Sequence, residues 1–268
     1  MIFIIILLVL LLLFSIPIFR YSEPIPYGNH HIPKIVITKY SKNMISDIYT
    51  KNWDNMQQSN PGYTFLKYDD DEARQFIISH FSDPQIIHTY DTLIPGSYKA
   101  DLFRFCHLYI TGGIYLDYNK RFTLPIDQII PSDADIILSD DRYGYLYNAL
   151  IIIRPKHDFM LKCIHQIVRN TRNRYYGPDA LCPTGPGLFG RVYKQYFGFH
   201  KISMGRFEAK GDIIYVYHHA HSNSVYDLKG HRIMKTRLCR KQKSKENKNY
   251  KKYYGHLWHI RNIYKRHY

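Results

Sequence analysis

Asp101 and Arg104 stand three residues apart inside an otherwise apolar run, Leu102-Phe-Arg-Phe-Cys-His-Leu-Tyr-Ile110. That spacing puts both on one face of a helix. Charged side chains are seldom buried unless they are paired or have a task. A fixed carboxylate beside a fixed guanidinium supplies directional hydrogen bonds to a ligand. Asp117 follows, with Asn119 and Lys120 just behind it. A carboxylate and an amide oxygen can ligate a hard divalent cation, the amide without the carboxylate's charge. Lys120 could carry part of the charge of an anionic ligand, or simply be solvated.

The elements that must position these groups are legible around them. Leu102, Phe105, Cys106 and Tyr109 repeat at helical spacing. Gly112 and Gly113 stop that helix, since glycine accepts the left-handed conformation without steric cost. Ile114 to Asp117 then alternates as a strand, which sets Asp117 at a strand's carboxyl end, where open α/β sheets bind ligands. Elsewhere the pattern predicts strands over 35–38, 63–68, 135–139, 149–153 and 213–217, and a hairpin over 225–236. Helices are predicted over 42–56, 70–81 and 158–168. Residues 91–97 read as a turn-rich approach, and 177–187 as a Gly/Pro-rich loop. Alternating strands and helices argue for an α/β sheet.

The run Lys99-Ala-Asp-Leu-Phe-Arg-Phe-Cys-His-Leu-Tyr-Ile-Thr-Gly-Gly-Ile-Tyr-Leu-Asp-Tyr-Asn119 resembles the A-D-L-x-R-x-x-x-L-x-x-x-G-G-x-Y-x-D-x-D signature of the DXD-motif glycosyltransferases. That family includes fungal mannosyltransferases and α1,4-glycosyltransferases, and is related to the clostridial glucosylating toxins. Ile32-Pro-Lys-Ile35, Trp53, Asn60-Pro-Gly-Tyr63, Tyr68-Asp-Asp70, Asn148-Ala-Leu-Ile151, Pro155-Lys-His157, Thr184-Gly-Pro-Gly187 and Trp258 extend the likeness over most of the chain. The resemblance implies a GT-A-like nucleotide-sugar-binding fold over 31–268. It implies retaining transfer from a nucleoside-diphosphate sugar to a glycan, glycolipid or protein acceptor. Asp101, Arg104 and Asp117 would be catalytic. Ile35, Tyr115, Asn119, Lys120, Gly185 and Trp258 would serve the donor, the last through its indole N–H, and Asn148 the acceptor side. Asp117 and Asn119 would hold a divalent cation, Mn²⁺ in this reading. Asn119 departs from the pattern, because the family carries a second aspartate there.

Residues 2–19 form one apolar run, just long enough to span a bilayer as a helix. It lacks a basic leading region and a small-residue cleavage site, and is read as a signal anchor within residues 1–20, with a cleaved signal as the alternative, followed by a short stem, 21–30. Arg20, Lys34, Lys39 and Lys42 follow the run and none precedes it, so the positive-inside rule alone sets the domain in the cytosol. The resemblance sets it on the lumenal side of the Golgi or ER as a single-pass membrane protein. Of the formal charge of +15, residues 229–268 hold fourteen Lys/Arg against Glu246. This basic face is read as lying near the anionic donor or the membrane, with nucleic acid not expected as a partner. Cys106, Cys163, Cys182 and Cys239 show no C-x-x-C pair, which argues against zinc. His218, His219 and His221 read as a solvated loop. Two other classes stay open: a non-catalytic glycan or nucleotide binder that has lost the second aspartate, and a membrane-tethered binder of anionic lipid or nucleic acid.

Overall fold

A computed structural model describes residues 32–42, 46–141, 143–220, 223–237 and 254–265. The apolar run 2–19, the stem 21–30, Cys239 and His221 lie outside the described residues. Among the described residues no helix is long and apolar enough to cross a membrane.

The chain folds as an α/β domain on a ten-stranded mixed sheet. Its strands are β1 (Ile35–Lys39), β2 (Thr64–Tyr68), β3 (Gly113–Leu116), β4 (Arg121–Phe122), β5 (Ile136–Ser139), β6 (Leu150–Ile153), β7 (Gly205–Ala209), β8 (Asp212–Ala220), β9 (Ser224–Tyr226) and β10 (Arg232–Lys235). The order across the sheet is β2-β1-β3-β6-β5-β8-β9-β10-β4, with β7 paired to β8. β1, β2 and β3 are parallel, β5 and β8 are parallel, and β6 runs against its neighbours β3 and β5. The chain leaves β1 for β2 on one side and returns to β3 on the other, so a topological switch point lies between β1 and β3. Crevices at such points, beyond the carboxyl ends of the strands, are where α/β sheets take ligands.

Helices α1 (Asp47–Gln58), α2 (Asp70–His80), α3 (Pro84–Thr92), α4 (Gly96–Thr111), α5 (Asp158–Arg172) and α6 (Pro186–Phe197) cover the sheet. Alternation along the strands feeds two cores. Ile37, Tyr115, Ile151 and Ile153 face α2 to α6. Val36, Ile114, Leu150 and Ile152 face Trp53 and Met56 of α1 and the Ile126–Gln128 turn. Strands β3, β5 and β6 are buried on both faces, which is why they read as continuous apolar runs.

The glycine pair does more than stop a helix. Gly112 ends α4 at φ 62° and Gly113 opens β3 at φ 93°. A Cβ on Gly112 would stand 2.5 Å from the Pro155 nitrogen, and one on Gly113 2.6 Å from the Ile35 carbonyl oxygen. Three elements meet there closer than any side chain permits.

The predicted strands and the 158–168 helix are present, the helix extending to Arg172. Helices α3 and α6 and strand β7 were not anticipated. Pro84 at a helix N-terminus and Pro186 at another are placed where the missing N–H costs nothing, yet in sequence Pro186 reads as part of the 177–187 loop. His218 and His219 belong to β8 rather than to a solvated loop, and His219 is buried.

Candidate functional site

Helix α4 and strand β3 bring the charged residues together at the carboxyl edge of the sheet. Asp101 and Arg104 are both buried, with Asp101 6% exposed. The Arg104 Nη2 lies 3.1 Å from Asp101 Oδ1 and 3.5 Å from Asp117 Oδ1. Its Nη1 donates to the Asn148 carbonyl and its Nε to the Ala100 carbonyl. The guanidinium stacks over the Tyr115 ring at 4.5 Å, an arrangement that fixes its plane. Arg104 therefore bridges two carboxylates from different elements and cannot swing away without breaking several bonds.

Asp101 is held at both oxygens. Asn148 Nδ2 donates to Oδ1 at 2.9 Å and Thr184 Oγ1 donates to Oδ2 at 2.7 Å. Burial raises its pKa above the usual carboxylate range, against the opposing pull of Arg104 and these donors. A Cβ on Gly185 would come 3.3 Å from Asp101 Oδ2, so glycine there lets the loop backbone reach the carboxylate.

Asp117 follows β3, and its side chain is 33% exposed. Its backbone N–H donates to Ala149 and its carbonyl accepts from Lys120, closing the 117–120 turn. Helix α1 braces this turn: Asn52 Nδ2 donates to the Lys120 carbonyl at 2.8 Å, and the Trp53 ring lies 6.0 Å from Tyr118. Asn119 Oδ1 is buried and has no hydrogen-bond partner. An orphaned acceptor beside a half-open carboxylate is a fit for a hard cation. Among the described residues no cluster of three His, Cys, Asp or Glu adds to it.

The structure thus gathers Asp101, Arg104, Tyr115, Asp117, Asn119, Asn148 and Gly185. It does not gather three others. Ile35 lies at the amino end of β1, beside Gly113, whereas Thr38 to Tyr40 occupy the end nearest Asp117. The buried Lys120 turns its ammonium to the Thr236 carbonyl at 3.3 Å. The Trp258 indole N–H, expected to meet the donor, donates to the Tyr176 carbonyl at 2.7 Å. Two further residues belong to the site: Thr184, known in sequence only as part of the Thr184–Gly187 block, and Tyr40, which the sequence reading did not single out. Thr184 donates directly to Asp101, and Tyr40, just past β1, packs its ring 5.7 Å from Tyr118. The position of Tyr40 immediately after a parallel strand was the available signal.

Residues 46–135 match the model of the glycosyltransferase sugar-binding region containing the DXD motif. A mannosyl phosphorylinositol ceramide synthase of Saccharomyces cerevisiae is 26% identical over 166 residues, covering 62% of this chain and 43% of its own. Inositol phosphoceramide mannosyltransferase 1 of Schizosaccharomyces pombe is 24% identical over 171 residues, covering 62% and 52%. The chain spans about half the length of these relatives. Among solved structures, the PaToxG glycosyltransferase superposes with a TM-score of 0.49 at 15% identity, covering 62% of this chain and 70% of that one. The family model and the curated relatives match the same stretch that carries the sequence resemblance to the DXD-motif glycosyltransferases.

Proposed function

We propose that this chain transfers a hexose, with mannose the first candidate, from a nucleoside-diphosphate sugar to a membrane glycolipid, retaining the anomeric configuration on a GT-A-like scaffold. One observation carries the reading: Arg104 ties buried Asp101 to half-open Asp117 at the switch point, with Asn148 and Thr184 as donors to Asp101. The names of the relatives, which include mannosyltransferases of inositol phosphoceramide, support the sugar and the glycolipid.

In this mechanism Asp101 and Arg104 grip the hydroxyls of the donor sugar and set its orientation. The bond from the anomeric carbon to the diphosphate oxygen breaks as the bond to the acceptor oxygen forms on the same face. The acceptor proton passes to the departing diphosphate oxygen. Asn148 positions the acceptor hydroxyl, and Tyr40 offers a ring for the base. Asp117 and Asn119 would hold a divalent cation, whose chemistry is to neutralise the charge that builds on the leaving diphosphate. Fixed dipoles and charges aimed at that developing charge do most of the work in such sites.

Hydrolysis of a panel of nucleoside-diphosphate hexoses, with and without Mn²⁺, tests the reading. Turnover of one donor, lost in Asp101→Asn, is expected. Nucleotide binding with no turnover of any donor would instead favour the non-catalytic binder, which the loss of the second motif aspartate at Asn119 supports. In the same proposal residues 2–19 anchor the chain, with the domain on the lumenal side. Alkaline carbonate extraction should leave it in the membrane pellet, and microsomes should protect the domain from protease.

A further inference from the structure

The loop that delivers Thr184 to Asp101 has little regular structure between α5 and α6, and the C-terminal segment grips its first residues. Tyr264 Oη donates to the Tyr175 carbonyl at 2.5 Å and Trp258 Nε1 to the Tyr176 carbonyl at 2.7 Å. Arg174 donates through both terminal nitrogens to the Lys265 carbonyl, at 3.1 and 3.0 Å. Arg261 lies over the Tyr176 ring at 4.6 Å and over Trp258 at 5.4 Å. The segment is itself tied to the α3–α4 connection. Ile94 N–H donates to the Ile263 carbonyl at 3.0 Å and Lys265 N–H to the Thr92 carbonyl at 2.9 Å.

From these anchors a continuous path leads inward. A Cβ on Gly177 would meet the Cys182 side chain at 2.6 Å and the Tyr175 ring at 3.1 Å, so the two arms of the loop touch across that glycine. Tyr98 Oη donates to the Ala180 carbonyl and Asn170 Nδ2 to the Pro183 carbonyl, at 2.6 and 2.7 Å. Gly185 N–H donates to the Leu181 carbonyl at 3.1 Å. The next contact is Thr184 on Asp101.

We propose that residues 257–265 act as a latch on the 174–185 loop, and that Trp258 is a positioning residue for Asp101, acting through Thr184 rather than by touching the donor. The inference rests on the glycosyltransferase reading only for its activity readout. A displacement of order 1 Å at a positioning contact can cost up to about a hundredfold in rate, so small slack in the loop reaches the chemistry.

Two substitutions test it: Trp258→Phe, which keeps a ring and removes the N–H, and Thr184→Val, which removes the hydroxyl. Each should lower kcat for donor hydrolysis about tenfold or more, while leaving the affinity for the free nucleoside diphosphate unchanged. Thr184→Ser should restore the rate. The double variant should be no worse than Thr184→Val alone, since residues acting in one chain do not add. Additive losses, or a weakened nucleoside diphosphate in Trp258→Phe, would overturn the latch. Tyr264→Phe, which deletes one hydroxyl of the same clasp and keeps the buried ring, replaces Trp258→Phe if that variant does not fold. Amide exchange separates this inference from the reading beneath it. If wild type turns over no donor, Trp258→Phe must still speed exchange at Gly185 and Gly187, whose N–H groups both donate to Leu181. Unchanged exchange there overturns the latch as well.

Discussion

The sheet carries the same charge triad at both ends and exposes opposite members of it. At the carboxyl edge Arg104 joins Asp101 and Asp117, with the guanidinium side chain 5% exposed and Asp117 open. At the far edge Arg154 joins Asp212 at 2.8 Å and Asp135 at 3.6 Å, but there the guanidinium side chain is 28% exposed and both carboxylates are sealed. The far carboxylates are consumed by the fold. Asp135 Oδ2 accepts from the Ile213 N–H, and Asp212 Oδ2 from His157 Nε2. His157 Nδ1 accepts from the Phe159 N–H, which fixes the ring with its proton toward Asp212. The outcome for the two aspartates is opposite: Asp212 is held below the usual carboxylate range by His157 and Arg154, against its burial, whereas burial lifts Asp101 above it. The far triad is a staple, and the near one leaves a carboxylate open to solvent.

The largest effect expected from this contrast is on turnover. Asp101→Asn or Arg104→Ala should cut donor hydrolysis by about 10²–10³-fold or more. Asp101→Asn should still melt cooperatively and lose less stability than Asp212→Asn, because Arg104 keeps Asp117 as a partner and burial already disfavours the Asp101 carboxylate. A collapse of its melting transition would make the near triad a second staple.

Next in size, Asp212→Asn should cost about 3 kcal/mol of stability, as breaking a buried charge network does, with activity per folded molecule retained. The sign with pH follows from the lowered pKa. The stabilisation is present above the unfolded carboxylate value and is lost as pH falls through the folded one, so acid melting of Asp212→Asn should be flatter than that of wild type. A loss of activity at full folding would break the distinction between the two edges.

A third change restores charge to the open edge. Asn119→Asp should tighten Mn²⁺-dependent binding of a nucleoside diphosphate on the order of tenfold, since hard cations are held by charge count as well as geometry. Calorimetric titration in Mn²⁺ and in EDTA reads it, and equal affinity in the two buffers would remove the cation from the site. The smallest effect belongs to Lys120→Met. With its ammonium turned to the Thr236 carbonyl, nucleoside diphosphate affinity should be unchanged; a large loss would return Lys120 to the donor.

Much of the near edge was legible because it is local. Asp101, Arg104, Gly112, Gly113 and Asp117 sit on one helix, one corner and one strand, and periodicity alone orders them. Asn148 and Gly185 came only through resemblance, since nothing in their neighbourhoods says which carboxylate they will meet. Trp258 shows the same limit: a tryptophan's N–H is a sure donor, but the acceptor it meets in the fold, the Tyr176 carbonyl, is remote in sequence. Ile35 was placed on the right strand at the wrong end, because strand direction relative to a site is a property of the sheet. Helix α6 was hidden behind its own Pro186-Gly187 start.

The glycine corner has a consequence for where this domain can change length. Adding one residue within α4 would turn Asp101 by about 100° away from Arg104's partners, and adding one within β3 would send alternate side chains to the wrong face. With Pro155 and Ile35 already against Gly112 and Gly113, no slack exists to absorb either shift, so the distance from Asp101 to Asp117 is a fixed ruler. The connection between β5 and β6 is the opposite. Tyr143 is 75% exposed at its tip and Gly144 has open space around it, while Asp141 Oδ1 clasps the N–H groups of Tyr143 and Tyr145 at its base. Insertions there can grow outward from the same edge as Asn148 without touching the ruler, which makes that hairpin the part of this edge free to change in length and shape.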